Sequence, residues 1–285
     1  MFPTLQLGPA VIQTSVLLLL AGVWLATGRI ERHARMRGQN GDRILTLVLV
    51  VVASAIVTGR LAYATQHLQA YLANPLGLLS PTMATMNLEV GALAALSAGA
   101  FLLRRWARRG QPIPLLDLLD VLAPGMAVMM MAFSAGNLAS GSAYGAPARL
   151  PWSIFLWDEW RHPSQAYELL AALGIWLLIE RSAKKVPSAS AHDAAAGPST
   201  RAPGFLFFTW MAMAASARLI LEAFRGDSVL WGGAIRAPQV VALIALLGAL
   251  WSVGRVARSR RSAACHQPDS PSDCPTPTTT TSPRL

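Results

Sequence analysis

The sequence predicts an all-α polytopic membrane protein with seven transmembrane helices, its N-terminus outside the cell and its C-terminus in the cytoplasm. The chain is 53% hydrophobic and only 13% charged, whereas globular proteins carry about 25% charged residues. Seven apolar runs approach or reach the length of about 20 residues that a membrane-spanning helix needs. The basic residues are concentrated in alternate connections between these runs.

The predicted spans differ in strength. They lie at 10–28, 44–66, 87–103, 115–138, 165–180, 204–224 and 238–254. The fourth is weakened by Asp117 and Asp120 near its start and by Pro124 and Gly125 within it, and the fifth is short. No basic n-region precedes the first run, so we expect a retained helix and not a cleaved signal peptide.

Lysine and arginine residues determine the predicted orientation. The segments 29–43, 104–109, 181–185 and 255–261 hold 16 of the 24 basic residues, and the intervening connections hold few. Because cytoplasmic loops are enriched in Lys and Arg, we expect these four segments in the cytoplasm. A soluble helical protein would not show this alternation. A nucleic-acid-binding protein would instead gather its basic residues on one face.

The domain organisation follows from composition. Residues 1–261 are predicted to form one membrane domain, and residues 262–285 a disordered, low-complexity cytoplasmic tail. The two cysteines, Cys265 and Cys274, both lie in this tail, so we expect no disulfide framework. With His266 they offer three metal ligands, fewer than the four of a structural zinc site. We therefore expect neither a metal nor a cofactor.

Polar side chains gather where the predicted spans reach the outer side of the membrane. They are Arg60, Tyr63, Glu89, Asn137, His162, Gln165, Tyr167, Glu168, Arg218, Glu222 and Arg225. Each has a structural explanation, such as an ion pair, an interfacial aromatic or a helix cap. As a cluster they predict a functional site, because ionisable groups in membrane spans are usually functional. Arginines at headgroup level suit a phosphate-bearing lipid, and a carboxylate nearby can accept a proton.

Five stretches, in order along the chain, resemble the bacterial prolipoprotein diacylglyceryl transferase family. They are TGRLAYATQHLQAYLANPLGLL (58–79), LLDLLDVLAPGMAV (115–128), GNLASGSAYGAPARLPWSI (136–154), HPSQAYE (162–168) and RLILEAFRGD (218–227). HPSQAYE is similar to the family element HPxQLYE, and RLILEAFR to RFxIEFFR. The resemblance covers most of residues 8–254 and also implies seven spans with the N-terminus outside.

The resemblance implies an enzyme of the bacterial plasma (inner) membrane that carries out the first step of lipoprotein maturation. Such an enzyme transfers the diacylglyceryl group of phosphatidylglycerol to the thiol of a lipobox cysteine, and glycerol phosphate leaves. The expected partners are phosphatidylglycerol or another anionic phospholipid, prolipoprotein signal peptides and membrane lipid, with no nucleic acid.

The resemblance also implies roles for particular residues. Arg218 is expected to neutralise the phosphate and Glu89 to act as the base, as the two catalytic residues. The expected substrate-binding residues are Arg60, Asn137, Gly145, His162, Gln165, Tyr167, Glu168, Glu222 and Arg225. Ser134 stands where the family has the arginine that binds the phospholipid headgroup, and Glu89 stands where it has a histidine. Other family residues are replaced by Ser15, Ser140 and Ser142.

These replacements leave alternatives open. Serine cannot supply an arginine's charge, and losing such a contact in a desolvated pocket costs about 2–5 kcal/mol. Arg60, Arg161 or Arg218 would have to compensate. One alternative is an altered or inactive relative that binds phospholipid or signal peptide without transfer, and another is transfer from a different anionic lipid or to a different acceptor. A transporter is disfavoured, because the sequence shows no internal repeat.

Overall fold

The computed structural model describes residues 4–7, 10–79, 85–184, 202–228, 230–231 and 235–265, and within these ranges the protein is mostly helical. The helices are α1 (Thr14–Met36), α2 (Gly41–Gln66), α3 (Leu68–Ala73), α4 (Leu88–Arg108), α5 (Leu115–Ser140), α6 (Ser164–Lys184), α7 (Phe205–Leu221) and α8 (Ala237–Cys265). Short 3-10 turns follow α3 and α7, at Pro75–Leu79 and Glu222–Phe224.

Three small antiparallel hairpins accompany the helices. They pair β1 (Thr4–Leu7) with β2 (Ala10–Gln13), β3 (Ile154–Leu156) with β4 (Glu159–Arg161), and β5 (Leu230–Trp231) with β6 (Ile235–Arg236). The expectation of a purely α-helical chain omitted them. The three hairpins lie just before α1, α6 and α8, respectively, so they do not interrupt any of the long helices.

The long helices confirm the membrane class of the protein. Five of them are long and apolar enough to cross a membrane: α1, α2, α5, the stretch Phe205–Phe224 that includes α7, and α8 as far as Val256. The helices α4 and α6 have 21 residues each and are not among these five. A chain with several such helices is a multi-pass membrane protein.

The predicted span limits were partly wrong. Residues 10–13 form β2, so α1 begins at Thr14 and continues to Met36, well beyond the predicted end at residue 28. Helical hydrogen bonding does not stop where the apolar run stops, because charged side chains are tolerated once the helix reaches headgroups and water. For the same reason the backbone of α8 is helical to Cys265, inside the predicted tail; residues 266–285 lie outside the described residues.

The helix α5 lies at the centre of the packing. It contacts α1, α6 and α7, while α2 bridges α1 and α4, and α8 packs on α7. Close approach depends on small residues, as is usual between membrane helices. A Cβ atom at Gly91 of α4 would lie 2.8 Å from the carbonyl oxygen of Ala55 in α2. Any larger residue at position 91 would therefore push α2 and α4 apart.

A buried carboxylate ties together three helix ends on one side of the bundle, which we call the basic end. Asp120 near the start of α5 lies 3.1 Å from Arg37, just after α1. The same carboxylate accepts hydrogen bonds from the backbone N–H groups of Gly204 and Phe207, at 3.0 and 2.9 Å. Asp120 thereby caps the start of α7, whose first N–H groups have no partner within the helix.

The opposite side of the bundle, which we call the site end, carries the polar residues singled out in the sequence. There the end of α2 meets the start of α4, where the Asn87 N–H donates to the Gly59 carbonyl at 2.9 Å. The end of α5 meets the start of α6, where the Ser164 hydroxyl donates to the Ala143 carbonyl at 2.8 Å. Helices that run alternately up and down therefore bring distant sequence segments to one end.

Candidate functional site

The core of the candidate site is an ion-pair cluster between α6 and the end of α7. We define the ionic cluster as Glu168, Arg218, Glu222, Arg225 and Asp227. One oxygen of Glu168 lies 3.2 Å from Arg218 Nη1 and 3.0 Å from Arg225 Nη1. A single carboxylate of α6 therefore holds two guanidinium groups that reach it from the end of α7.

The members of the ionic cluster differ in their access to ligands. Glu222 is completely buried, and its Oε2 lies 2.9 Å from Arg218 Nη2 and 3.8 Å from Arg225 Nε. Neither oxygen of Glu222 has a well-aligned hydrogen bond among the described residues, so Glu222 acts on the arginines mainly through its charge. The side chain of Arg218 is 38% exposed and that of Arg225 only 12%. Arg218 is thus the cation of the cluster that an incoming anion can reach.

The guanidinium of Arg225 is held from two sides. Its Nε and Nη2 donate to the two carboxylate oxygens of Asp227 at 2.9 and 2.8 Å, while Nη1 donates to Glu168. Burial works to lower the pKa of Arg225, but the hydrogen bonds and negative charges of Asp227 and Glu168 outweigh it, so the pKa is raised above its ordinary value. Arg225 consequently remains positively charged at every pH at which the protein is folded, and it holds the carboxylates of Glu168 and Asp227 together.

The backbone around Gly145 joins the ionic cluster to the loop that follows α5. Gly145 pairs with Arg225 in an isolated antiparallel bridge, and the Ala146 N–H donates to the Phe224 carbonyl at 2.8 Å. A Cβ atom at position 145 would lie 2.2 Å from the carbonyl oxygen of His162. Only glycine fits here, which explains the residue at this predicted binding position without invoking substrate.

A buried polar wall adjoins this backbone at the start of α6. Gln165 is fully buried, and its Nε2 donates to the Ser142 carbonyl at 3.0 Å. Three rings, those of His162, Tyr167 and Phe224, meet edge to face with centroid separations of 5.3 to 6.3 Å. Packing of this kind fixes the orientation of Tyr167 and Glu168 relative to α7.

Two polar atoms of this buried polar wall could accept a hydrogen bond from a ligand. Within the described residues, His162 Nδ1 and Gln165 Oε1 are buried and have no hydrogen-bond partner. Buried polar atoms are usually satisfied, and exceptions often mark sites of function. Both atoms belong to side chains that the sequence assigned to substrate binding.

Ser134 and Asn137 lie on the last turns of α5. Ser134 is buried, and its hydroxyl donates to the Met130 carbonyl one turn earlier at 3.1 Å. This hydroxyl is therefore used within its own helix. Since serine also carries no charge, Ser134 cannot supply a cation to the site. Asn137 follows one turn later and is partly buried.

Two predicted site residues lie on α2 and α4, where their contacts with described residues are separate from the ionic cluster. Arg60 is buried and donates to the carbonyls of Leu78 and Gly77 at 3.1 and 2.8 Å, and to the Thr85 hydroxyl at 2.6 Å. It therefore fastens the connection between α2 and α4. Glu89 is exposed in the first turn of α4, where the structure shows no ion pair to any described residue.

Sequence reasoning missed several members of the site. Asp227 belongs to the ionic cluster, Arg236 donates to the backbone carbonyl of Glu222, and Trp152 Nε1 donates to the Tyr167 hydroxyl at 2.7 Å. Asp227 had a local signal, since it is an acidic residue two positions after an arginine. Arg236 and Trp152 had none, because their contacts arise only when separate segments fold together.

The described residues include no group of three or more His, Cys, Asp or Glu side chains that could hold a metal ion. The described residues of the site end supply cations, carboxylates and buried hydrogen-bonding groups. Such a set suits the binding of a phosphate ester and the removal of a proton.

Comparisons with known proteins match most of the chain. The family model described as prolipoprotein diacylglyceryl transferase matches residues 4–254. A phosphatidylglycerol–prolipoprotein diacylglyceryl transferase of Synechococcus elongatus is 28% identical over 272 residues, covering 88% of each chain. The enzyme of the same name from Thermosynechococcus vestitus is 24% identical over 266 residues, covering 89% of this chain and 91% of its own.

A third relative of the same name, from Streptococcus pyogenes serotype M5, is 25% identical over 259 residues, covering 88% of this chain and 93% of its own. The family match extends from the first hairpin into α8, and so includes every helix that contributes to the site end. The five motifs, the multi-pass helical fold and this match agree: the chain belongs to the prolipoprotein diacylglyceryl transferase family.

Proposed function

We propose that this protein transfers the diacylglyceryl group of phosphatidylglycerol to the cysteine thiol of a prolipoprotein lipobox. In this reaction the thiol sulfur forms a thioether bond to the glycerol carbon of the lipid. The bond between that carbon and the phosphate oxygen breaks, so glycerol phosphate leaves with the bonding electrons. The thiol proton passes to a base. The site must therefore bind a phosphate whose negative charge grows and must accept one proton.

The observation that carries the proposal is the position of Arg218. It is the most exposed cation of the ionic cluster, and buried carboxylates on two sides hold its guanidinium in one orientation. A preorganised cation stabilises charge that develops on a leaving group. Since Ser134 supplies no charge, Arg218 is the cation we assign to the leaving phosphate.

We assign the remaining roles by their positions. Glu89 is the proposed base, since it is an exposed carboxylate at the site end without an ion pair to a described residue. Asn137, Gly145, His162, Gln165 and Tyr167 would shape the pocket. Glu168, Glu222 and Arg225 would hold Arg218, and Arg60 would hold the connection beside Glu89.

The proposed setting is the bacterial inner membrane, with seven spans and the site end facing outwards. The basic segments support this orientation, because they lie at the opposite end of the bundle. A lipobox precursor then approaches from the outer leaflet, where its signal peptide can enter between the helices.

The function is tested by complementation of a strain depleted of its own transferase, together with transfer of labelled lipid in isolated membranes. We expect the protein to restore growth and to label a lipobox precursor. Arg218→Ala should lower the transfer rate at least about tenfold, because the loss of a desolvated charge contact costs about 2–5 kcal/mol and about 1.4 kcal/mol is a factor of ten. Glu89→Gln should lower the rate as well.

Arg149→Ala serves as the matched control, because Arg149 is exposed in the loop after α5 and outside the ionic cluster. Its transfer rate should stay near that of the unchanged protein. If the folded, membrane-inserted protein binds phosphatidylglycerol or precursor but transfers nothing, the enzymatic proposal is wrong and a binding role replaces it.

A further inference from the structure

The hairpin formed by β3 and β4, together with the turn just before it, exposes an unusually aromatic surface, which we call the aromatic face. Trp152, Phe155, Trp157 and Trp160 lie within nine residues, and their exposed fractions are 58%, 62%, 63% and 55%. Phe155 and Trp160 are cross-strand partners whose rings meet edge to face at 5.6 Å. Large exposed apolar surfaces of this kind usually mark an interaction site.

The other face of the hairpin is already occupied. Arg161 donates to the carbonyl oxygen of Gly145 at 3.3 Å, and its guanidinium lies 4.9 Å from the ring centre of Tyr144. The hairpin is therefore docked on the candidate site through one face. Since side chains alternate along a strand, Phe155 and Trp160 project from the opposite face.

The indole groups fix the level of the aromatic face along the bundle. Trp157 Nε1 lies 3.4 Å from the carbonyl oxygen of Gly141, the residue that ends α5. Trp152 Nε1 donates to the hydroxyl of Tyr167, in the first turn of α6. Two tryptophans are thus held level with helix ends, and one of these helices, α5, is apolar enough to cross the membrane.

The indole N–H groups of Trp152 and Trp157 both point towards the protein. What they leave exposed is mainly apolar ring surface. The helices that the hairpin connects expose apolar side chains as well, such as Phe133 on α5 and Leu170 on α6, at 46% and 66%. The aromatic face therefore continues the type of surface that these helices present to lipid.

We propose that the aromatic face inserts into the headgroup region of the bilayer at the site end, with lipid as its partner. Tryptophan and tyrosine concentrate at this level of a membrane, where the ring meets acyl chains and the polar group finds hydrogen bonds. The hydrogen bond from Trp152 to Tyr167 connects the aromatic face to the buried polar wall of the candidate site. The hairpin thereby holds the wall at the depth of the lipid headgroups. The proposal concerns membrane contact and stands independently of catalysis.

The test uses single cysteines at positions 155 and 160 of the full chain, with Cys265 and Cys274 replaced by serine. Phe155→Cys and Trp160→Cys would each carry an NBD fluorophore, and the protein would be reconstituted in phosphatidylglycerol-containing vesicles. Gln111→Cys, in the exposed connection between α4 and α5, is the matched control. Quenching by lipids brominated near the headgroup is compared with quenching by aqueous iodide.

We expect brominated lipid to quench the labels at 155 and 160 strongly and iodide to quench them weakly, with the reverse at 111. Thermal unfolding of each labelled protein checks that the fold is retained. Iodide quenching at 155 and 160 equal to that at 111, in folded protein, would overturn the proposal. So would labels that become shielded only after a lipobox peptide is added, since the aromatic face would then bind the precursor and not lipid.

Discussion

At the scale of single residues, the site depends on side chains whose surroundings leave little freedom. Glu168 accepts from two arginines, and Gln165 is fully buried against the loop after α5. Gly145 shows the constraint most directly, since the carbonyl of His162 occupies the space that a side chain would need. The predicted binding residues of this region are thus partly structural, and we expect their substitution to affect stability as well as transfer.

Gly145→Ala should lower both the transfer rate and the thermal stability. Its Cβ atom would lie 2.2 Å from a backbone oxygen, which cannot rotate away, and overpacking of this kind costs about 1–3 kcal/mol. Gly174→Ala in α6 is the control, because nothing lies within 4 Å of its Cβ position. That variant should be neutral or slightly more stable. Equal thermal unfolding temperatures for the two variants would refute this account of Gly145.

At the scale of elements, buried charges hold helix ends together. The backbone N–H groups at the start of α7 donate to Asp120 of α5, which also pairs with Arg37 after α1. Asp117, one turn earlier, is 35% exposed and reaches Arg37 only at 4.0 Å. In sequence the two residues looked alike and weakened the fourth predicted span. In the fold, Asp120 is the one that secures three helices.

Asp120→Ala should destabilise the protein by about 3–5 kcal/mol, since removing one partner of a buried pair leaves the other uncompensated and the α7 cap is lost as well. Thermal unfolding in detergent, followed by circular dichroism, measures the effect. Asp117→Ala is the matched control and should stay within about 0.5 kcal/mol, as surface substitutions usually do. Similar losses for both variants would contradict the role given to Asp120.

At the scale of the whole molecule, the two ends of the bundle differ in composition. The basic end carries Arg29 and Lys184, both within 4.0 Å of Glu180. The site end carries the ionic cluster, in which each cation has a carboxylate within reach. The basic end is nevertheless richer in Lys and Arg, as in segments 29–43 and 104–109, and such an excess is the asymmetry to which the positive-inside rule relates membrane orientation.

Membrane-impermeant maleimide tests the proposed orientation in intact cells. In a variant without the native cysteines, Arg149→Cys at the site end should react, because that end is predicted to face outwards. Gln111→Cys at the basic end should react only after lysis. The opposite pattern would show that the molecule is inserted the other way round.

Much of this architecture could be predicted from local pattern. The apolar runs anticipated each long helix among the described residues, of which five meet the length and hydropathy expected of a membrane span, since a membrane helix satisfies its own backbone and needs only enough apolar residues. The helix limits were less accurate, as for α1, because hydrogen bonding continues past the apolar run. The residues around His162 and Arg218 were identified because ionisable groups stand out against apolar sequence.

The sequence by itself determined the membrane class, the approximate positions of the described long helices, the family and the residues with ionisable groups at one end. Only the tertiary structure decided which of these residues meet. Glu168 contacts Arg218 and Arg225, which lie 50 and 57 positions later in the chain. Arg60 instead binds the connection between α2 and α4, and Glu89 has no ion pair to a described residue. The physical reason is that periodicity and composition are local properties of a chain. Contacts between helices depend on which small residues let two helices approach closely and on which buried charges find a partner.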